Sequence, residues 1–109
     1  MSKYNILLVD DQEENLSSTS DLLHRWGYCV DAVSSGDEAL EYIRTKAKEY
    51  AVAILDYRMP EKTGAQVATE IRTLNDEIIL LMHSAYPSVE SLTATIRAGI
   101  LNFIDKSED

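Results

Sequence analysis

The segment AVAILDYRMPEKTG, residues 51–64, decides how the rest of the chain is read. Its apolar run, 51–55, goes without interruption into Asp56. A short apolar run bounded by turn signals fits a strand covered on both faces. Asp56 stands where that strand stops, and Pro60 and Gly64 mark a loop behind it. Val67, Ile71 and Leu74 then recur at helical spacing. The unit is strand, loop, helix, with a carboxylate at the strand's carboxyl end.

The same unit repeats outward in both directions. YNILLV (4–9) reads as a strand that ends in Asp10 and Asp11. Gln12 begins a helix over 12–26, with Leu16, Leu23 and Trp26 on one stripe and Gly27 as its stop. Trp26 is expected to pack at that helix end. Tyr28–Val33 reads as a second strand, and Ser35-Gly36-Asp37 opens a helix striped by Ala39, Leu40, Ile43 and Ala47. EIILLMH (77–83) is a strand ending at Ser84. Pro87 suits a first helical turn, Val89, Leu92 and Ile96 continue it, and Gly99 closes it. ILNFI (100–104) is the last strand, followed by Asp105 and Lys106. Strands alternating with helices predict an α/β fold in three layers, a doubly wound parallel sheet of five strands with right-handed crossovers. Ligands of such sheets bind beyond the carboxyl ends of the strands.

The chain's 109 residues fit a single domain, 1–109. Ten basic against 19 acidic side chains give a formal net charge of −9. That sign argues against direct nucleic-acid binding and against anionic membrane surfaces, and favours a cation or a basic partner. Cys29 is the only cysteine, so an internal disulfide and a cysteine metal cluster are excluded. Cys29 is expected to be a small buried apolar residue. No stretch approaches the roughly 18 apolar residues of a membrane span. MSKYNILLVDD turns acidic too early for a secretory signal, so a soluble, cytoplasmic protein is expected. His24 and His83 are isolated and read as structural, and Ser17 to Ser20 as an exposed helix face.

The polar residues collect at one edge of the predicted sheet. Asp10 and Asp11 end the first strand, Asp56 the third, Ser84 the fourth and Lys106 the fifth. Three carboxylates packed together stay ionised cheaply only with a cation. Hard oxygen donors suit Mg²⁺, which uses one or two carboxylates with waters and phosphate oxygens. Lys106 supplies a point charge and Ser84 a donor for phosphoryl oxygens. Asp56 is then a candidate nucleophile that forms an aspartyl-phosphate.

LLVDD (7–11), LDYRMPEKTG (55–64), HSA (83–85) and AGILNFIDK (98–106), each at a strand end and in this order, resemble the receiver domain of two-component response regulators. The resemblance covers essentially the whole chain. It implies a flavodoxin-like strand order 2-1-3-4-5. It also implies that Asp56 accepts a phosphoryl group from a sensor histidine kinase or phosphotransfer protein. Asp11 then ligates Mg²⁺ directly (Mn²⁺ can substitute), Asp10 holds a metal-bound water, and Arg58 contributes its backbone carbonyl. Ser84 and Lys106 grip the phosphoryl oxygens, and Phe103 changes rotamer as Ser84 moves. Arg58 and Tyr86 flank the path of attacking water and tune dephosphorylation. The domain is thus expected to be a switch with only its own phosphorylation and dephosphorylation chemistry, and not a turnover enzyme.

Two departures from the family pattern stand out. Serine, Ser107, follows Lys106 where the family usually has proline, which makes a cis bond there costly. The chain ends at SED, 107–109, a helix-start signature, so a fifth helix is expected to be missing from a longer regulator, with homodimerisation or helix exchange as the consequence. The main alternative is an aspartate-nucleophile, Mg²⁺-dependent phosphohydrolase, which wants a second acid two residues after its nucleophile; Arg58 stands there. A flavin carrier needs a glycine- and hydroxyl-rich phosphate loop, and DDQEEN (10–15) repels a phosphate instead. A purely structural module leaves the intact acidic pair, Asp56, Ser84 and Lys106 unexplained.

Overall fold

A computed structural model describes residues 5–46, 50–84 and 102–105 of the chain, with side chains through residue 83. In chain order the elements are β1 (Asn5–Val9), α1 (Glu13–Arg25), β2 (Cys29–Val33), α2 (Gly36–Lys46), β3 (Tyr50–Asp56), α3 (Gly64–Leu74), β4 (Ile79–Ser84) and β5 (Asn102–Asp105). The strands form one sheet in the order β2-β1-β3-β4-β5, and every neighbouring pair is parallel. Fold class and strand order are those expected from the sequence. Element ends differ from the expected ones by one or two residues, as helix and strand ends commonly do. The expected helix around Pro87 to Gly99, Ala47 and any helix after Lys106 lie outside the described residues.

The period-2 alternation of strand side chains splits the sheet into two apolar faces. Leu7 and Val9 of β1, Val33 of β2, Ala53 and Leu55 of β3, and Leu80 and Met82 of β4 share one face. Ala39, Leu40 and Ile43 of α2 and Ala65, Val67, Ala68 and Ile71 of α3 cover it, and together they form the buried core. Ile6 and Leu8 point the other way, toward the side of Ala32, which lines a groove with Leu16 of α1. Helices therefore lie on both faces, which is the three-layer arrangement.

Three burial expectations are corrected. No residue of α1 is fully buried, and Trp26 is 64% exposed rather than packed at the helix end. Cys29 is exposed rather than buried. Both follow from topology: β2 is an edge strand, α1 lies against it, and the helix end beside Cys29 therefore projects past the core. Leu74, expected on the α3 stripe, is 43% exposed because it closes the last turn.

The helix ends show why the chain turns where it does. Gly27 adopts φ +94°, the left-handed conformation that costs glycine least. Its N–H donates to His24 O at 3.0 Å and the Tyr28 N–H to Leu23 O at 3.2 Å, the paired bonds of a Schellman stop. Helix α3 begins with a capping box. The Gln66 N–H donates to Thr63 Oγ1 at 3.2 Å, and the Thr63 N–H donates to Gln66 Oε1 at 2.8 Å. Thr63→Ala is expected to cost about 1 kcal/mol, read as a lower urea midpoint at unchanged slope.

Candidate functional site

Backbone pairing carries three aspartates to one point. The Asp10 N–H donates to Val33 O at 3.2 Å, extending the β1–β2 ladder one residue past the strand. Asp10 Oδ1 then accepts from the Gln12 N–H at 2.9 Å, a local turn that lifts the chain off the sheet and places Asp11 over the edge. Asp56 closes β3 in register with His83 of β4, and the Tyr57 N–H donates to His83 O at 3.3 Å. Asp10 and Asp56 are the buried charged residues among those described, at 4% and 5% exposure. One carboxylate oxygen from each of Asp10, Asp11 and Asp56 lies within 4.8 Å of the other two.

The donor set fits a hard cation. All three groups are oxygen donors, the site is largely withdrawn from water, and like charges this close repel one another. Asp11 adds a specific observation: its Oδ1 is buried with no hydrogen-bond partner among the described residues. A buried, unpartnered carboxylate oxygen is costly unless a donor, a water or a cation meets it, and beside two further carboxylates a cation is the favoured partner.

The loop between β3 and α3 is tightly held. The Gly64 N–H donates back to Tyr57 O at 2.9 Å, and Met59 is tucked into the core at 9% exposure. Arg58 between them is exposed. Lys62 joins the loop to both flanking helices, donating to Glu70 Oε2 at 2.9 Å and lying 3.3 Å from Asp37 Oδ1. Those bonds, first to Glu70 and then to Asp37, raise its pKa above the ordinary lysine value, so the ammonium is charged throughout the neutral range.

Of the residues singled out in the sequence, the structure brings Asp10, Asp11 and Asp56 together and sets Arg58 two residues beyond Asp56. Ser84 is the last residue of β4, immediately after His83, and Phe103 pairs with Met82 from β5. The side chains of Ser84 and Phe103, and all of Tyr86 and Lys106, lie outside the described residues. Sequence reading missed Lys62 and its two acids. Positions 37, 62 and 70 carry no spacing signal, and only the packing of α2 beside α3 makes them neighbours.

A five-stranded doubly wound sheet with three carboxylates at the carboxyl ends of β1 and β3 defines an α/β domain whose sheet edge offers an oxygen-donor site suited to a cation. The model of the response regulator receiver domain family matches residues 6–109, and the chain belongs to that family. Among curated proteins it is 36% identical over 107 residues to the transcriptional regulatory protein ZraR of Salmonella typhimurium, a match that covers 98% of this chain and 24% of that protein. The chain thus spans about a quarter of the length of the ZraR relatives it matches. A CheY-like receiver domain from Methanospirillum hungatei superposes with a TM-score of 0.91 at 28% identity, over 96% of this chain and 82% of that one. A response regulator from Burkholderia pseudomallei, solved with a phosphorylated aspartic acid, a calcium ion and citrate, has the same fold, with a TM-score of 0.88 at 22% identity over 95% and 60% of the two chains. Domains of this family are regulatory phosphoacceptors in two-component signalling, phosphorylated by histidine kinases or phosphotransfer proteins. Among the described residues no helix is long and apolar enough to cross a membrane.

Proposed function

We propose that the 109 residues act as one cytoplasmic receiver module in which Asp56 takes a phosphoryl group from a partner's phosphohistidine in the presence of Mg²⁺. The observation that carries this reading is the cluster of Asp10, Asp11 and Asp56, with the Asp11 Oδ1 buried and unpartnered. A carboxylate oxygen of Asp56 attacks phosphorus, the new O–P bond forms as the P–N bond breaks, and the imidazole leaves with the electron pair. Asp11 and Asp56 would hold the ion directly, Asp10 through a water, and Arg58 through its backbone carbonyl. Bound Mg²⁺ supplies charge neutralisation for the phosphoryl oxygens as they crowd into an acidic pocket. Ser84 and Lys106 take the remaining oxygens, and Phe103 follows Ser84 in the switch. Arg58 and Tyr86 set the rate of hydrolysis. The phosphorylated state is favoured only by the extra contacts it makes, so the output is a shift of population between two states. Turnover on free substrates is not part of this function, and the phosphohydrolase alternative gains no support, since position 58 is an exposed arginine.

The metal assignment has its own test. Titration calorimetry with Mg²⁺ is expected to show one site in the wild-type chain. Asp11→Asn is expected to weaken it by at least about tenfold, as loss of a ligating group costs no less than loss of its supporting partners. Equal affinity in the two proteins removes Asp11 from the metal site.

A further inference from the structure

The β3–α3 loop contains a strained turn, and one side chain clamps it. The Lys62 N–H donates to Pro60 O at 2.7 Å, an i→i+2 bond, and Glu61 between them has φ +72°. That combination belongs to the γ-turn of positive φ, the rarer and more strained of the two forms. Among the described residues Glu61 is the non-glycine residue with positive φ. Strain of this kind persists only where the surroundings over-determine it. The surroundings here are the Gly64–Tyr57 backbone bond, the buried Met59, the capping box behind the turn and the side chain of Lys62. The lysine's stem runs along Gly36 at the start of α2, where a Cβ added to the glycine would lie 3.7 Å from Lys62 Cβ, and its ammonium joins Asp37 to Glu70. Three segments are thus pinned to one cation, four residues after Arg58.

We propose that Lys62 is a positioning residue for the phosphoacceptor site: its bridge to Asp37 and Glu70 holds the strained turn at Glu61, and so keeps the loop in the shape that presents the Arg58 carbonyl to the cation. The inference rests on the reading of Asp10, Asp11 and Asp56 as a Mg²⁺ site that serves phosphorylation. Without the bridge the turn relaxes, the binding-competent loop is populated for a smaller fraction of the time, and apparent affinity falls by that fraction. Lys62 pairs with Asp37 and Glu70 and with none of the three clustered aspartates. It acts through the loop.

Mg²⁺ affinity by calorimetry, and the rate of phosphorylation by acetyl phosphate, test this on the full chain held well below its melting temperature. Lys62→Met, which keeps the stem and removes the charge, is expected to weaken Mg²⁺ binding and slow phosphorylation together, by about three- to fivefold. Lys62→Arg is expected to stay close to wild type. The decisive variant is Lys62→Met with Glu61→Gly. Glycine adopts positive φ without the side-chain penalty, so it lowers the strain the bridge opposes and is expected to recover most of the lost affinity. The gap between wild type and Lys62→Met is expected to narrow as NaCl rises from about 0.05 M to about 1 M, because an exposed bridge is screened. Wild-type binding with an unchanged Lys62→Met dissociation constant overturns the proposal, even if the variant melts earlier. So does a double variant as weak as Lys62→Met alone. A wild-type chain that binds no Mg²⁺ and takes no phosphoryl group overturns instead the reading on which the proposal stands.

Discussion

Incubated with Mg²⁺ and acetyl phosphate, the chain is expected to gain the mass of one phosphoryl group, and Asp56→Asn is expected to gain none. Position singles out Asp56. Of the three clustered carboxylates, it alone is the last residue of the central strand, with β1 on one side and β4 on the other, whereas Asp10 and Asp11 lie past the end of β1. Asp10 has an oxygen committed to the Gln12 N–H, and Asp11 has the unpartnered oxygen that calls for a cation. Asparagine matches aspartate in shape and removes one of three mutually repelling charges, so the variant is expected to be at least as stable as the parent. Loss of the adduct then reports loss of the nucleophile rather than loss of the fold. An adduct at wild-type level in Asp56→Asn sinks the assignment. Rapid multiple turnover on a soluble phosphate ester favours the phosphohydrolase over the phosphoacceptor.

How far the sequence reveals this arrangement depends on which interactions are local. β1, β3 and β4 were legible because a strand covered on both faces must be apolar throughout, so AVAIL (51–55) and its counterparts stand out and stop abruptly at polar residues. The gathering of Asp10, Asp11 and Asp56 followed, since parallel strands end on the same side of the sheet. Exposure was less legible. Trp26 and Cys29 look apolar in the chain, but their exposure depends on how far the end of α1 and the start of β2 project past the core, which strand order alone does not give. The Lys62 bridge was not legible. Its partners are 25 residues before it and 8 after, and a lysine among loop residues reads as solvated until α2 and α3 are packed. The positive φ of Glu61 carried no signal either, because glutamate is not a residue that announces such a turn.

Gly64→Ala is expected to damage stability and chemistry at once, and the reason lies in how closely α3 starts to the end of β3. A Cβ on Gly64 falls 2.9 Å from the Asp56 carbonyl carbon, closer still to its oxygen, and 3.0 Å from Met82 Sδ. Met82 is fully buried and Asp56 O belongs to the backbone, so neither can swing aside as a surface side chain does. Alanine in place of glycine reduces the freedom of the unfolded chain, which by itself stabilises by up to about 1 kcal/mol. Overpacking against backbone outweighs that, for a net expected loss of about 2–3 kcal/mol in chemical denaturation. The part of the chain that must move carries Asp56. A shift of a few tenths of an ångström or more separates its carboxylate from those of Asp10 and Asp11, and misplacement on the scale of 1 Å costs up to about a hundredfold in rate. Phosphorylation by acetyl phosphate, corrected for the folded fraction, is therefore expected to slow by at least about tenfold. Val67→Ala supplies the contrast: it removes buried methyl groups from α3 and destabilises, but it belongs to the apolar core rather than to the acidic cluster, so its rate per folded molecule is expected to hold. If Gly64→Ala behaves like Val67→Ala, losing stability but keeping its rate, then the close approach of α3 serves only packing, and the alignment of Asp56 does not depend on it.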